Sequence, residues 1–120
     1  MESECIFCRI ARKKLKTEIM MESNSFIAIY DAKPKAKGHV LIIPKEHHVT
    51  LLDIPNKLGN EILEFTKKVC SYLLDKKYGD GFNLMMNNLE VAGQEVMHAH
   101  LHVIPRKEGD GLRFYTKNYD

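Results

Sequence analysis

The sequence predicts an α+β domain with a mainly antiparallel sheet of about five strands, one short helix and one long helix. Short segments rich in β-branched and aromatic residues follow one another along the chain, separated by polar stretches that hold glycine, proline or asparagine. One long segment, residues 53–79, instead repeats its apolar residues at intervals of three and four, the spacing of an amphipathic helix. Consecutive strands with a single long helix between them favour an antiparallel sheet.

The N-terminal part of the chain is predicted to form the short helix and two strands. Residues 5–14 (CIFCRIARKK) place apolar side chains at helical offsets, which predicts a short helix. Residues 18–23 and 25–31 are predicted strands, with a turn at Ser23 and Asn24 between them. Residues 31–38 are polar and contain proline and glycine, so we expect a loop there.

The middle of the chain holds the next strand and the long helix. Residues 39–45 (HVLIIPK) predict a strand that Pro44 ends. The long helix is predicted over residues 53–79, with Asp53 as its N-terminal cap and Gly79 at its end. Its main apolar stripe consists of Leu58, Ile62, Phe65, Val69 and Leu73.

The C-terminal part is predicted to add two strands. Residues 81–88 (GFNLMMNN) and 98–106 (HAHLHVIPR) are strands in this interpretation, and residues 89–96 form a turn-bearing loop between them. Residues 108–120 are expected to be irregular.

Length and composition limit the classes of function. A chain of 120 residues predicts one domain, residues 1–120, and 44% apolar with 28% charged residues is typical of a globular protein. A formal charge of +2 argues against a dedicated nucleic-acid or membrane binder. The N-terminus has no apolar core of a secretory signal, so we expect a cytoplasmic protein with neither nucleic acid nor membrane as a partner.

Three histidines alternate in the last predicted strand. In a strand, residues two apart share one face, so His98, His100 and His102 are expected to project together. The residues between and after them would pack on the other face: Ala99, Leu101 and Val103. Three polar rings on one face gain little from packing, and each ring needs hydrogen-bond partners for two nitrogens. The pattern therefore indicates either a metal site or a phosphate site.

This pattern resembles the signature of the histidine triad (HIT) family of nucleotide-binding hydrolases and transferases. The carrying stretch is HAHLHVI, and the similarity extends over nearly the whole chain through CIFCRI, FIAIYDAKPKAKGHVLIIPKEH and FNLMMNNLEVAGQEVMHAHLHVIPR. The resemblance implies a HIT-like fold. It also implies that His100 attacks the α-phosphate of a nucleotide, that His102 contacts the same phosphate, and that His98 and His39 support them.

The resemblance also implies a nucleotide-binding set. Asp31 resembles the acidic residue that binds the ribose hydroxyls. The loop around the phosphates and the leaving group matches Asn87, Gly93, Gln94 and Glu95. The nucleobase positions match Phe7, Ile10 and Ile29. The sequence departs from the eukaryotic pattern at Glu95, where that pattern has serine or threonine, and in the ending HVIPRKEGD, which resembles other branches of the family.

The two N-terminal cysteines form a Cys-x-x-Cys motif. Taken alone, Cys5 and Cys8 could serve redox chemistry or structural zinc, or be coincidental, but the strand-to-helix pattern of a thioredoxin-like site is absent. In many prokaryotic relatives the matching cysteines bind zinc with two histidines, which correspond here to His47 and His98. The resemblance thus implies a structural Cys₂His₂ zinc site.

The sequence and its resemblance together predict an enzyme and a homodimer. The expected substrates are purine nucleoside phosphoramidates or dinucleoside polyphosphates. The alternatives are a non-catalytic nucleotide-binding protein and a zinc-dependent interaction or regulatory module. Family members pair with the long helix at the interface, and here Leu63, Tyr72 and Leu74 lie off its main apolar stripe.

Overall fold

The computed structural model describes residues 5–113 and contains one five-stranded antiparallel sheet with a short and a long helix. The strand order is β1-β2-β3-β5-β4, and every neighbouring pair is antiparallel. The elements are α1 Ile6–Ala11, β1 Ile19–Glu22, β2 Phe26–Tyr30, β3 Val40–Pro44, α2 Gly59–Asp75, β4 Gly81–Met85 and β5 Leu101–Arg106. The predicted fold class is confirmed.

The two helices cover opposite faces of the sheet. Alternate residues of β2 and β3 belong to different apolar clusters because successive side chains of a strand point to opposite faces. One cluster joins the sheet to α2: Phe26, Ala28, Val40, Ile42 and Val103 with Phe65, Val69, Cys70 and Leu73. The other joins it to α1: Ile27, Ile29, Leu41 and Ile43 with Phe7 and Ile10. Burial on both faces explains the continuous apolar runs of β2 and β3.

The long helix begins later than predicted, so the assignment of Asp53 as its cap is wrong. Asp53 belongs to a 3-10 turn, Leu51–Asp53, where its carboxylate accepts a 3.0 Å hydrogen bond from the Thr50 amide in a capping box. A second 3-10 turn, Asn56–Leu58, follows before α2 starts at Gly59. The capping hydrogen bonds of Thr50 and Asp53 therefore close a 3-10 turn. The apolar spacing alone did not distinguish this turn from the start of a helix.

The helix also ends earlier than predicted. Tyr78 N donates to the Leu73 carbonyl and Lys77 N donates to the Leu74 carbonyl, each at 3.0 Å, which is the hydrogen-bond pattern of a Schellman motif. Lys77 occupies the left-handed position of that motif with φ of 63°, where glycine is usual. Gly79 therefore lies beyond the helix rather than at its cap. There the backbone passes so close to β5 that a Cβ would lie 2.8 Å from Arg106 N.

The last strand is shorter than predicted and begins at Leu101. Before it, His98 N donates to the Val96 carbonyl and Ala99 N donates to the His48 carbonyl. His98 and His100 therefore lie in a loop held by backbone hydrogen bonds, and not in the hydrogen-bonded strand. As predicted, Leu101 and Val103 pack on the α2 side.

The other strands match their predicted positions within a few residues, and none of the helices in residues 5–113 is long and apolar enough to cross a bilayer. Of the predicted irregular C-terminal segment, residues 114–120 lie outside the described residues. That residues 1–120 form a single domain stays a prediction.

Candidate active site and metal centre

Five of the six histidines, together with Phe7 of α1, form a chain of neighbouring rings on the α1 side of the sheet. Ring centroids lie 5.1 Å apart for His47 and His98, 5.1 Å for His100 and His102, and 5.2 Å for His102 and His39. The Phe7 ring of α1 contacts both His98 and His100 edge-on, at 5.8 and 5.2 Å between centroids. The structure thus brings the predicted triad together with its two upstream histidines.

The backbone determines the tautomer of His100. Its Nδ1 lies 2.7 Å from the carbonyl oxygen of His98, and because a carbonyl can only accept, the proton of the neutral ring sits on Nδ1. The unprotonated nitrogen is then Nε2. His100 is 7% exposed and lines the cavity described below, so this lone pair belongs to a ring at a solvent-accessible hollow.

A backbone amide determines the tautomers of His39 and His102. Lys35 N donates a 3.0 Å hydrogen bond to Nδ1 of His39, so the proton of a neutral His39 sits on Nε2. That Nε2–H faces Nδ1 of His102 at 3.0 Å and the Asp31 carboxylate at 3.4 Å. His102 accepts at Nδ1, and its own proton therefore sits on Nε2.

Burial keeps these rings neutral near pH 7. Desolvation, and after it the neighbouring His100 and His39 rings, lower the pKa of His102 to about 4. Desolvation also lowers the pKa of His39, against the opposing effect of the Asp31 carboxylate. The two neutral rings are therefore joined by one hydrogen bond, and its proton is held on Nε2 of His39.

A second group of side chains has the composition of a metal site. One ligand atom each from Cys5, Cys8, His47 and His98 lies within 4.8 Å of all the others. Individual separations are 3.3 Å and 3.4 Å from the two sulfurs to Nδ1 of His98, and 3.2 Å from Cys8 Sγ to Nδ1 of His47. Bond lengths of about 2.3 Å to sulfur and 2.0 Å to nitrogen place tetrahedral zinc ligands roughly 3.5 Å apart.

The protonation of His98 suits this role. Its Nε2 donates a 2.8 Å hydrogen bond to the Pro44 carbonyl, which leaves the lone pair of Nδ1 directed at the two sulfurs. Burial lowers the pKa of His98 to about 4, so the ring is neutral, as a metal ligand must be. The four side chains can therefore hold one metal ion.

A group of three residues, Asp31, His39 and His102, also has its ligand atoms within 4.8 Å of one another, but it does not fit a metal. Nδ1 of His39 already accepts from the Lys35 amide, so Nε2 keeps its proton and offers no lone pair. The short contact between the two rings is instead satisfied as an N–H···N hydrogen bond.

The cavity beside the triad has a volume of about 340 Å³ and collects most of the predicted nucleotide-binding residues. Of the predicted set, it is lined by Phe7, Asp31, Asn87, Gly93, Glu95, His100 and His102. His98 and His39 lie behind it and are 0% and 1% exposed. Ile10 and Ile29 lie in the apolar cluster under α1 rather than at the cavity wall, so their contact with a nucleobase stays a prediction.

Gln94 lies outside the cavity wall and braces the loop instead. Its Oε1 accepts from the Leu89 amide at 2.6 Å, and its Nε2 donates to the carbonyls of Val49 and Val96 at 2.6 and 3.1 Å. Next to it, Gly93 has a φ of 98°, which glycine adopts at little cost. A direct contact of Gln94 with a phosphate stays a prediction, whereas its support of the loop backbone is a finding.

Four cavity residues escaped the sequence analysis: Lys35, Leu41, Met85 and Val96. Leu41 and Met85 are the cross-strand partners of His102 on its two sides, which only the sheet register reveals. Lys35 lies in the short loop between Asp31 and His39, and its position between two predicted site residues could have identified it as a cavity residue. His48 lies outside the histidine chain and is half-buried after the end of β3.

Comparisons with known proteins find relatives of this chain in sequence and in structure. A family model described as HIT domain matches residues 12–109. An uncharacterized HIT-like protein of Methanocaldococcus jannaschii is 41% identical over 108 residues, which cover 89% of this chain and 82% of the relative. An adenosine 5'-monophosphoramidase of Candida albicans is 38% identical over 115 residues, covering 92% and 76%. A zinc-bound histidine triad family protein from Mycobacterium smegmatis has a TM-score of 0.87 at 33% identity, covering 95% and 83%.

Proposed function

This chain belongs to the histidine triad family, and from that premise we propose that it is a nucleotide hydrolase or nucleotidyl transferase. Its substrates are purine nucleoside phosphoramidates or dinucleoside polyphosphates, and a mononucleotide is the product. The observation that carries the proposal is the His100 tautomer. A ring whose Nδ1–H is held by a backbone carbonyl has a free Nε2 lone pair, and this ring lines the cavity.

The reaction has two displacement steps. In the first, Nε2 of His100 forms a bond to the α-phosphorus as the bond from phosphorus to the leaving group breaks, and the departing nitrogen or oxygen keeps the electron pair. A leaving amine takes up a proton from water, and the second step returns a proton to the solvent. In the second step a water oxygen attacks the same phosphorus, the water proton is released, and the bond to His100 breaks. Two displacements at an activated centre replace one difficult attack by water.

Neighbouring groups support these steps through hydrogen bonds and charge. The Nε2–H of His102 is assigned to a phosphate oxygen, because its other nitrogen is occupied by His39. The Lys35 side chain adds a positive charge to the cavity wall. Asp31 is assigned to the ribose hydroxyls and Phe7 to the base. Asn87, Gly93 and Glu95 line the cavity and are assigned to the phosphates and the leaving group.

We further infer that Cys5, Cys8, His47 and His98 hold one structural zinc ion. A closed set of four nitrogen and sulfur ligands leaves no open position for substrate, so the metal would supply stability and orientation rather than Lewis-acid chemistry. It would join α1 to the segments after β3 and before β5. The proposal rests on the donor set and on the Nε2–H of His98, which is donated to Pro44.

The protein is proposed to act as a homodimer. β4 lies at the edge of the sheet, and its Phe82 and Leu84 are 40% and 48% exposed. These two residues pair with Pro105 and Val103, so they lie on the α2 side, where Leu63 of the helix is 54% exposed. An exposed apolar edge strand and an exposed apolar helix residue on the same side of the sheet are surfaces that a second copy can cover.

The proposed activity is tested by incubating the purified protein with adenosine 5'-monophosphoramidate and measuring AMP release, with and without a chelator. We expect AMP in both conditions, since no step passes through the metal. Absence of AMP with tight nucleotide binding would favour the non-catalytic alternative. Turnover that disappears with the chelator while the fold persists would contradict a purely structural metal.

A further inference from the structure

A second cavity, of about 370 Å³, is surrounded by lysines at the end of the sheet beyond the triad. Three segments build it: the loop between β2 and β3, the end of α2, and the chain at and after the end of β5. Its wall consists of Lys35, Ala36, Lys37, Lys76, Lys77, Tyr78, Pro105, Lys107, Asp110 and Leu112. None of the residues that the sequence analysis assigned to a site belongs to it.

The cavity has an excess of positive charge. Within residues 5–113 none of its five lysines forms an ion pair. Asp110 does not neutralise them, because its carboxylate accepts from Arg106 Nε at 2.8 Å, from Arg106 Nη2 at 3.0 Å, and from the amides of Lys107 and Leu112. These bonds lower the pKa of Asp110 and occupy both its oxygens.

Close backbone packing fixes the shape of the cavity. Gly38 has a φ of 87°, and a Cβ there would lie 2.8 Å from the Tyr78 ring, so the lysine-bearing loop sits tightly on the end of α2. The equally tight approach of Gly79 to Arg106 N fixes the end of α2 against β5. A lysine at a helix C-terminus also complements the helix dipole, which accounts for Lys76 and Lys77 but not for Lys35, Lys37 or Lys107.

We propose that this lysine cavity binds an oligophosphate chain of two or more phosphates. A single phosphate carries at most about two negative charges, so a wall that contains five lysines matches a longer anion better. The half-buried ring of Tyr78 offers little to a nucleobase, because the ammonium of Lys37 lies over it at 5.9 Å from the centroid. Lys35 lines both cavities, so the bound anion lies next to the loop that holds His39. Binding of this anion does not require the proposed hydrolysis.

The experiment is calorimetric titration with inorganic tripolyphosphate at low ionic strength, with AMP at saturation throughout so that the triad cavity, itself a proposed phosphate site, is occupied. The variant Lys76→Gln/Lys77→Gln/Lys107→Gln removes three cavity charges, and Lys57→Gln/Lys67→Gln/Lys68→Gln removes the same charge from exposed lysines outside the cavity. We expect one site per chain in the wild type, at least tenfold weaker binding in the first variant and less than twofold in the second. Lys76→Arg/Lys77→Arg/Lys107→Arg should bind like the wild type.

Equal losses of affinity in the two glutamine variants would overturn the proposal, because the overall positive charge of the protein, and not the cavity, would then attract tripolyphosphate. Loss in the arginine variant, or absence of tripolyphosphate binding while AMP saturates the triad cavity, would also overturn it, the latter by placing the anion beside the triad. Titration with ATP under the same saturating AMP separates a free oligophosphate from the phosphate chain of a nucleotide. Equal affinity for ATP and tripolyphosphate indicates the free anion, and tighter ATP binding indicates a nucleotide's phosphate chain. Tighter binding of a single-stranded oligonucleotide than of either would contradict an oligophosphate site.

Discussion

Nδ1 of His100 donates a 2.7 Å hydrogen bond to the carbonyl oxygen of His98, two residues earlier in the chain. The same His98 turns its side-chain Nδ1 toward the sulfurs of Cys5 and Cys8. One residue therefore links the candidate metal centre, through its ring, to the candidate nucleophile, through its backbone. A metal held there would fix the carbonyl that sets the tautomer of His100, without touching the reacting atoms.

Replacement of His100 by alanine should remove turnover but not nucleotide binding. The loss of a covalent nucleophile costs orders of magnitude in rate, whereas the loss of one binding contact mainly weakens affinity. AMP release and AMP affinity, measured on the same preparation, separate the two effects. His48→Ala removes a half-buried histidine outside the ring chain and should keep wild-type turnover. Wild-type rates in His100→Ala would disprove the assigned nucleophile.

The covalent intermediate should be directly detectable. Rapid acid-free quenching during turnover, followed by peptide mass spectrometry, is expected to find a nucleotidyl group on His100. A phosphorus–nitrogen bond of this kind should survive base and be lost in acid. An adduct on His102 or His98 would contradict the tautomers assigned here, since their unprotonated nitrogens face His39 and the cysteines.

Cys5→Ser/Cys8→Ser should lose the metal and much of the stability. We expect about one zinc per wild-type chain and close to none in the variant, because two of four ligands are replaced. A loss of roughly 3 kcal/mol would lower the melting temperature by about 10 °C in a domain of this size. Cys70→Ser is the control, since Cys70 is a buried thiol in the α2 cluster and should keep the full metal content. Full zinc in the double variant would refute the ligand set.

The sequence predicted the residue types of the site better than their geometry. Alternation placed His98, His100 and His102 together correctly, yet only His102 lies in the strand, and the decisive hydrogen bonds come from the backbone of His98, Lys35 and Pro44. Side-chain patterns carry no direct signal for such carbonyl and amide partners. The predicted start of α2 was wrong for a related reason, because a capping box can close a 3-10 turn as well as a helix.

Acid should destabilise the fold through the buried His39–His102 pair. The pKa of His102 is about 4 in the folded protein and near 6.5 when it is exposed, so between these values the unfolded chain binds a proton that the folded chain does not. The free energy of unfolding therefore falls as the pH is lowered through this window, by up to about 1.4 kcal/mol per pH unit for one such group. Burial lowers the pKa of His39 in the same direction.

Denaturation midpoints of the zinc-loaded protein at pH 7, 6 and 5 measure this slope. His102→Asn keeps an acceptor oxygen near the His39 Nε2–H but cannot titrate. The unfolding free energy should therefore change less steeply with pH, by up to the contribution of one titrating proton. An unchanged slope would show that the pair does not control the acid response.

Leu84→Glu should convert the proposed dimer into monomers. It places a charge on the exposed apolar edge strand, where burial against a second copy would leave that charge without water. Sedimentation at micromolar concentration should give about twice 13.9 kDa for the wild type and 13.9 kDa for the variant. Leu84→Met keeps the apolar edge and should remain dimeric. A wild-type mass of 13.9 kDa would count against the dimer itself.

Glu95 should favour a neutral amine over a polyphosphate as the leaving group. Glu95 lines the cavity, and its carboxylate there would repel a departing anion but not an amine. Because Glu95 is exposed, the repulsion is near the water value of about 1 kcal/mol at 4 Å, which corresponds to about a fivefold difference in rate.

We therefore expect adenosine phosphoramidates to be cleaved faster than diadenosine polyphosphates, and Glu95→Ser to narrow the gap by about fivefold through faster polyphosphate cleavage. Glu90→Ser removes an exposed carboxylate of the same loop that lies outside the cavity wall, and it should leave the ratio of the two rates unchanged. A general effect of loop charge would change the ratio of the two rates equally in Glu95→Ser and Glu90→Ser. The leaving-group role of Glu95 fails if the polyphosphates are the better substrates and Glu95→Ser alters neither rate, because the carboxylate then does not meet the departing group.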